Sequence, residues 1–98
     1  MKAMPTLKQC ESVSQVLKTL AHPQRLMLLC HLTTGPKSVG ELVELSGASQ
    51  SGVSQFLNRM RLEGLVRSER EGQSVLYEIA DPKVEKILTT MHRLYCGA

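Results

Sequence analysis

Residues 38–64, SVGELVELSGASQSGVSQFLNRMRLEG, decide the reading of this chain. Ser38 and Glu41 stand at capping-box spacing, so hydroxyl and carboxylate can each satisfy a free amide at the start of a helix. Val39, Leu42, Val43 and Leu45 give that helix an apolar face. Gly47 can supply a left-handed turn, Ser49 can cap a following helix running roughly from Gln50 to Glu63, and Gly64 ends it. Two helices joined by about four residues are a helix-turn-helix.

The second of these helices has two unlike faces. Val53, Phe56, Leu57 and Met60 form an apolar stripe, and at about 100° per residue Ser51, Ser54, Gln55 and Asn58 turn away from it. That outer face is polar and uncharged. Gln and Asn can bond bidentately to adenine and Ser can donate or accept, so the face suits base edges; a merely solvated surface has the same composition. The residues downstream favour the first reading. Leu65 to Arg70, a loop containing Gly72, and Ser74 to Ile79 with Val75, Tyr77 and Ile79 alternating inward predict a two-stranded hairpin. Arg59, Arg61, Arg67 and Arg70 against Glu63 and Glu69 leave residues 59–70 with a net charge of +2, whereas the preceding helix carries Glu41 and Glu44. Basic charge beside a polar helix face is where phosphates would be met. Helix, turn, helix and basic hairpin in that order predict an α+β winged helix-turn-helix of five helices with one β-hairpin wing. Its partner is double-stranded DNA, with Ser51, Ser54, Gln55 and Asn58 on the bases and Arg59, Arg67 and Arg70 on the backbone.

Outside this core the pattern remains helical. Val13, Val16, Leu17 and Leu20 recur at helical spacing from about Cys10, after a loose polar start over residues 1 to 8. Pro23 fits the first turn of a second helix carrying Leu26, Leu29 and Leu32, which Thr33-Thr34-Gly35-Pro36 ends. Asp81 and Pro82 open a last helix whose narrow stripe is Val84, Ile87, Leu88, Met91, Leu94 and Tyr95. That stripe and the first helix are candidates for a symmetric homodimer surface; the alternative is packing within one subunit.

At 98 residues and 42% hydrophobic, the chain holds one modest core, a single domain over residues 1–98. Only Phe56, Tyr77 and Tyr95 are aromatic, so aliphatic side chains must fill that core, and burial against a second copy would help it. A formal charge of +3 is compatible with a polyanion but does not identify one. No apolar run is long enough to span a bilayer and no secretory leader stands at the start, so no membrane partner and a cytoplasmic location are expected. Three cysteines, Cys10, Cys30 and Cys96, without a close CxxC pair argue against a disulfide scaffold and a zinc knuckle. No Ser-His-Asp set or metal-activating pattern marks an enzyme, and no cofactor is implied. A winged-helix module for protein contact without DNA binding remains a distinct alternative.

Leu20-Ala21-His22-Pro23-Gln24-Arg25-Leu26, Ser38 to Leu45, Ser49 to Gln55 followed by Leu57, Glu63-Gly64-Leu65-Val66, and the hairpin ending in Leu76-Tyr77 together resemble the ArsR family of winged-helix repressors. The resemblance covers about residues 12 to 96 and implies a dimeric, operator-binding repressor. Carried over by position, it assigns DNA reading to Gln50, Ser51, Ser54 and Gln55, with Arg70 and its neighbours in the wing. Phe56 stands where the family commonly has a polar residue, often His, and Gly52 where it has Ala or Thr. Both departures bear on the operator sequence.

The resemblance also bears on the signal. The family's thiolate metal site lies on the helix before the recognition helix, and here Ser38 to Leu45 contains no cysteine. A second family site uses Asp and His on the last helix, where this chain has Asp81, read as a cap, and His92; no metal site is assigned. Cys30 near the end of the second helix and Cys96 near the end of the last resemble the cysteine placement of the sulfide- and redox-responsive HlyU/BigR-like subgroup. In that subgroup the pair closes to a disulfide or polysulfide link that weakens operator binding. The effector so implied is reactive sulfur or an oxidant; the alternative is a soft metal or metalloid held by Cys30, Cys96 and Cys10.

Overall fold

A computed structural model describes residues 3–97. The elements run α1 (Leu7–Leu20), α2 (Pro23–Leu32), β1 (Lys37–Ser38), α3 (Val39–Ser46), α4 (Gln50–Leu62), β2 (Val66–Glu71), β3 (Ser74–Ile79) and α5 (Pro82–Tyr95). The five helices and the hairpin wing are those the sequence predicts.

Local chemistry explains most of the boundaries. Ser38 Oγ accepts from the Glu41 amide at 3.2 Å while the Glu41 carboxylate accepts from the Ser38 amide at 3.0 Å, closing the capping box of α3. Gly47 then takes φ 73°, the left-handed geometry that turns the chain towards α4. Ser49 caps α4 by accepting from the Gly52 amide at 3.1 Å. Asp81 caps α5 through the Lys83 amide at 2.9 Å, with Pro82 in the first turn. One helix start differs from expectation. Thr6 and Gln9 exchange bonds of 3.2 and 2.8 Å, a second capping box, so α1 begins at Leu7 inside the stretch read as a loose start.

The sheet has three strands in the order β1-β3-β2, one more than the expected hairpin. β2 and β3 pair antiparallel from Val66↔Ile79 to Glu71↔Ser74, and β1 adds Lys37↔Tyr77 and Ser38↔Leu76 on the other edge. A two-residue strand has no alternation to read, which is why the sequence pattern does not reveal it.

The core joins Leu28, Leu29 and Leu32 of α2, Leu42 of α3, and Val53, Leu57 and Met60 of α4 to Val66, Ile79 and α5. The apolar stripe of the last helix divides between the subunit's own core and its surface. Val84 and Leu88, placed on a candidate dimer stripe, are 1% and 0% exposed within the single chain and belong to its own core. Leu94 and Tyr95, one to two turns further, are exposed, as are Val13 and Leu17 on α1, where only Leu20 is buried. No helix among the described residues is long and apolar enough to cross a membrane.

Candidate nucleic-acid interface and thiol pair

α4 is fixed by Val53, Leu57 and Met60, each 0% exposed, and this anchoring leaves Gln50, Ser51, Ser54, Gln55 and Asn58 exposed on the side away from the core. The sequence-derived reading face is thus gathered on one helix surface. Its members are not equally free. Arg61 donates to Asn58 Oδ1 at 2.9 Å, so the Asn58 carbonyl is engaged while its amide NH₂ has no partner among the described residues. The Gln50 and Gln55 side chains have no hydrogen-bond partner among the described residues.

The arginines also divide. Arg59 on α4 and Arg70 on β2 are exposed and have no hydrogen-bond or ion-pair partner among the described residues. Arg67 Nε instead donates to Glu78 Oε1 at 2.6 Å across the strand pair. With Arg67 and Arg70 set against Glu69, Glu71 and Glu78, residues 66–79 carry a net −1, so the wing as a whole is not basic. The uncompensated positive charge sits on α4 and at Arg70.

Two features escaped the sequence pattern. Arg25, 8% exposed, donates from both terminal nitrogens to Glu63 at 2.8 and 2.9 Å, and one of them also reaches the Thr19 carbonyl at 3.3 Å. Glu63 is the C-cap of α4, so this bidentate pair ties the end of the recognition helix to α2 and to the last turn of α1. The hydrogen bond from Arg25 holds the Glu63 carboxyl below its usual range against the opposing effect of burial. Partners 38 residues apart leave no local signature. The second is an aromatic contact: Phe56 is half-buried, and the His22 ring stands edge-on to it with centroids 5.2 Å apart at 61°. Gly52 is explained by its neighbour, since a Cβ there would lie 3.0 Å from the Ser49 Oγ that caps the helix.

All three cysteines are free thiols. Cys30 is half-buried on α2, and Cys96 is the exposed C-cap of α5, its amide donating to the His92 carbonyl at 2.8 Å. Burial pushes the Cys30 thiol up, and the charge of Cys96 pushes it further, so the two sulfurs are within electrostatic reach of each other. Cys10 is exposed on α1. Among the described residues no three His, Cys, Asp or Glu side chains converge as a metal site.

A family model for bacterial regulatory proteins of the arsR family matches residues 22–68, from the start of α2 into β2. The HTH-type transcriptional regulator YgaV of Escherichia coli K12 is 44% identical over 87 residues, 88% of each chain. The chain belongs to the arsR family of bacterial regulatory proteins. This arsR-family chain is also 41% identical to the transcriptional activator HlyU of Vibrio cholerae, over 85% of its own length and 77% of HlyU. In structure it matches the transcriptional repressor BigR of Xylella fastidiosa with a TM-score of 0.82 at 36% identity, covering 91% of this chain and 88% of that one. These relatives are transcriptional regulators rather than enzymes, and the arsR-family chain is a DNA-binding regulator with their winged-helix fold.

Proposed function

We propose that the protein is a homodimeric repressor which reads operator duplex with α4 and releases it when Cys30 and Cys96 are bridged by reactive sulfur. Base contacts fall to Gln50, Ser51, Ser54, Gln55 and Asn58, and backbone contacts to Arg59 and Arg70, with Arg67 contributing only if Glu78 lets it go. The exposed apolar residues of α1 and the end of α5 support the dimer, because Val13 and Leu17 are only half covered within one chain and Leu94 and Tyr95 are mostly exposed. Two-fold symmetry would then set two recognition helices about one DNA turn apart.

The observations that carry the switch are the packing of α2, which holds Cys30, against α5, which Cys96 caps, and the effect of the Cys96 charge on the Cys30 thiol. With hydrogen disulfide as the simplest reactive sulfur species, the exposed Cys96 thiolate attacks one sulfur, forming a Cys96 persulfide and expelling HS⁻. The Cys30 thiolate then attacks the inner sulfur of that persulfide, closing the disulfide and expelling a second HS⁻. Two thiols are oxidised by two electrons and two sulfane sulfurs are reduced to sulfide. The order follows from burial, which disfavours the Cys30 thiolate. A longer bridge keeps an additional sulfur and relaxes the spacing a direct disulfide demands. Linking α2 to the end of α5 constrains two helices that pack together in the core and so acts on the separation of the two recognition helices.

The test is binding to a duplex selected by the protein from a random library, measured before and after hydrogen polysulfide, peroxide, zinc and arsenite. Polysulfide is expected to release the duplex from wild type and from Cys10→Ser, and intact mass should report an intrasubunit bridge. Cys30→Ser and Cys96→Ser should bind but not respond. Full release from Cys96→Ser would refute the switch, and release by zinc or arsenite alone would replace it with metal sensing.

A further inference from the structure

Three sizeable clefts open on the described surface, and their linings differ in charge. One of about 670 Å³ contains Glu63 and Asp81, and one of about 510 Å³ beside the wing contains Glu78 and Glu85. The third, also about 510 Å³, runs along the flank of α4 and is lined by His22, Gln55, Phe56, Asn58, Arg59 and Leu62, without a carboxylate. It alone of the three is lined by donors and a cation with no acid in the lining. Gln55 and Asn58 belong to both this cleft and the reading face, so the two surfaces are continuous.

We propose that this cleft seats a backbone phosphate of the bound duplex, held by Arg59 and by His22, with Phe56 as the positioning residue for His22. An α-helix with its side chains is about 10–12 Å across and the major groove about 12 Å wide, so a helix in the groove presses its flanks against the phosphate rows. Arg59 is on that flank, exposed and without a partner among the described residues, while Glu63, the nearby acid, is engaged by Arg25. His22 lies on a different element, at the N-cap of α2. Its side chain makes no capping bond, and its ring stands against Phe56 instead. The imidazole, held on an aromatic edge, presents an N–H donor, and the Arg59 guanidinium in the same lining presents the charge, to one oxyanion. His22 thereby extends the interface beyond the helix-turn-helix and the wing. Phe56 contributes by fixing that ring and makes no base contact of its own.

This inference rests on α4 entering the major groove, and its test separates the two ideas. Binding of a library-selected duplex and of a random-sequence duplex is titrated by anisotropy over a series of KCl concentrations. Arg59→Gln should weaken both duplexes alike and reduce the slope of log K against log[KCl] by about 0.9, the loss of one neutralised phosphate. His22→Gln should weaken both by about three- to tenfold. Phe56→Leu should weaken both to a similar degree, and the His22→Gln/Phe56→Leu double variant no further. Lys83→Gln, a cation on α5, reports the effect of net charge alone. Thermal melts by circular dichroism establish that each variant is folded. Wild-type affinity of His22→Gln on both duplexes, or a slope change in Lys83→Gln equal to that in Arg59→Gln, would overturn the proposal. If wild type does not discriminate between the duplexes, base reading by α4 fails, yet the random duplex still reports on the phosphate seat.

Discussion

The Arg25–Glu63 pair makes an unequal prediction for its two halves. Arg25 has 10% of its side chain exposed and Glu63 38%, so removing either leaves a very different orphan. In Glu63→Ala a buried guanidinium keeps only the Thr19 carbonyl at 3.3 Å. Breaking a fully buried pair costs roughly 3–5 kcal/mol, and the exposure of the Glu63 side chain brings the figure here down to about 2 kcal/mol. In Arg25→Met an apolar chain fills the space and the carboxylate rehydrates, so the loss should be about 1 kcal/mol. For a domain of this size the difference is roughly 4–8 °C in Tm. Urea unfolding at one fixed protomer concentration measures both variants and the double variant, from which the coupling is extracted. The Glu63 carboxyl is held below its usual value in the folded chain, so its contribution is complete above the unfolded value and is lost as pH falls through the lowered folded value. The deficit of Glu63→Gln relative to wild type should accordingly persist from neutral pH down to the ordinary carboxylate range and vanish below it. Equal losses for the two single variants, or a larger one for Arg25→Met, would refute this account of the pair.

Three further outcomes follow from the geometry. Gln55→Ala should lose roughly 1–3 kcal/mol on a selected duplex with little change on a random one, and Asn58→Ala should lose less because Arg61 already occupies its carbonyl; equal losses on both duplexes would remove the base-reading role. Leu17→Glu, at a half-covered position of α1, should give a folded monomer by analytical ultracentrifugation, whereas Leu88→Glu should unfold the chain; a dimer persisting in Leu17→Glu would move the interface elsewhere. Gly52→Ala should change stability by no more than about 0.5 kcal/mol, because the helix-propensity gain is offset by crowding of the Ser49 cap, but should stabilise a Ser49→Ala background by about 0.5–1 kcal/mol. The same gain in both backgrounds would mean that the cap is not crowded.

What was legible in the sequence was whatever is written locally. Caps at Ser38, Ser49 and Asp81, the left-handed turn at Gly47, and the stripe Val53, Leu57 and Met60 each depend on residues within about a turn of one another, so the helix-turn-helix and its exposed polar face could be placed from spacing alone. The wing's strands were equally legible, but its charge was not: Arg67 and Glu78 are partners only because antiparallel pairing sets them opposite, and counting charge over residues 59–70 omitted the strand that carries the acid. How far the subunit core covers the stripe on α5 was not legible for a related reason. Helical periodicity says that Val84, Ile87, Leu88, Met91 and Leu94 share a face, but not where the subunit core stops covering it, and the structure puts Val84 and Leu88 inside and Leu94 outside. His22 and Phe56, 34 positions apart, and Arg25 and Glu63, 38 apart, both join α2 to α4. A one-dimensional pattern locates the surface of the recognition helix; what holds that helix and flanks its surface comes from a neighbour that only tertiary packing supplies.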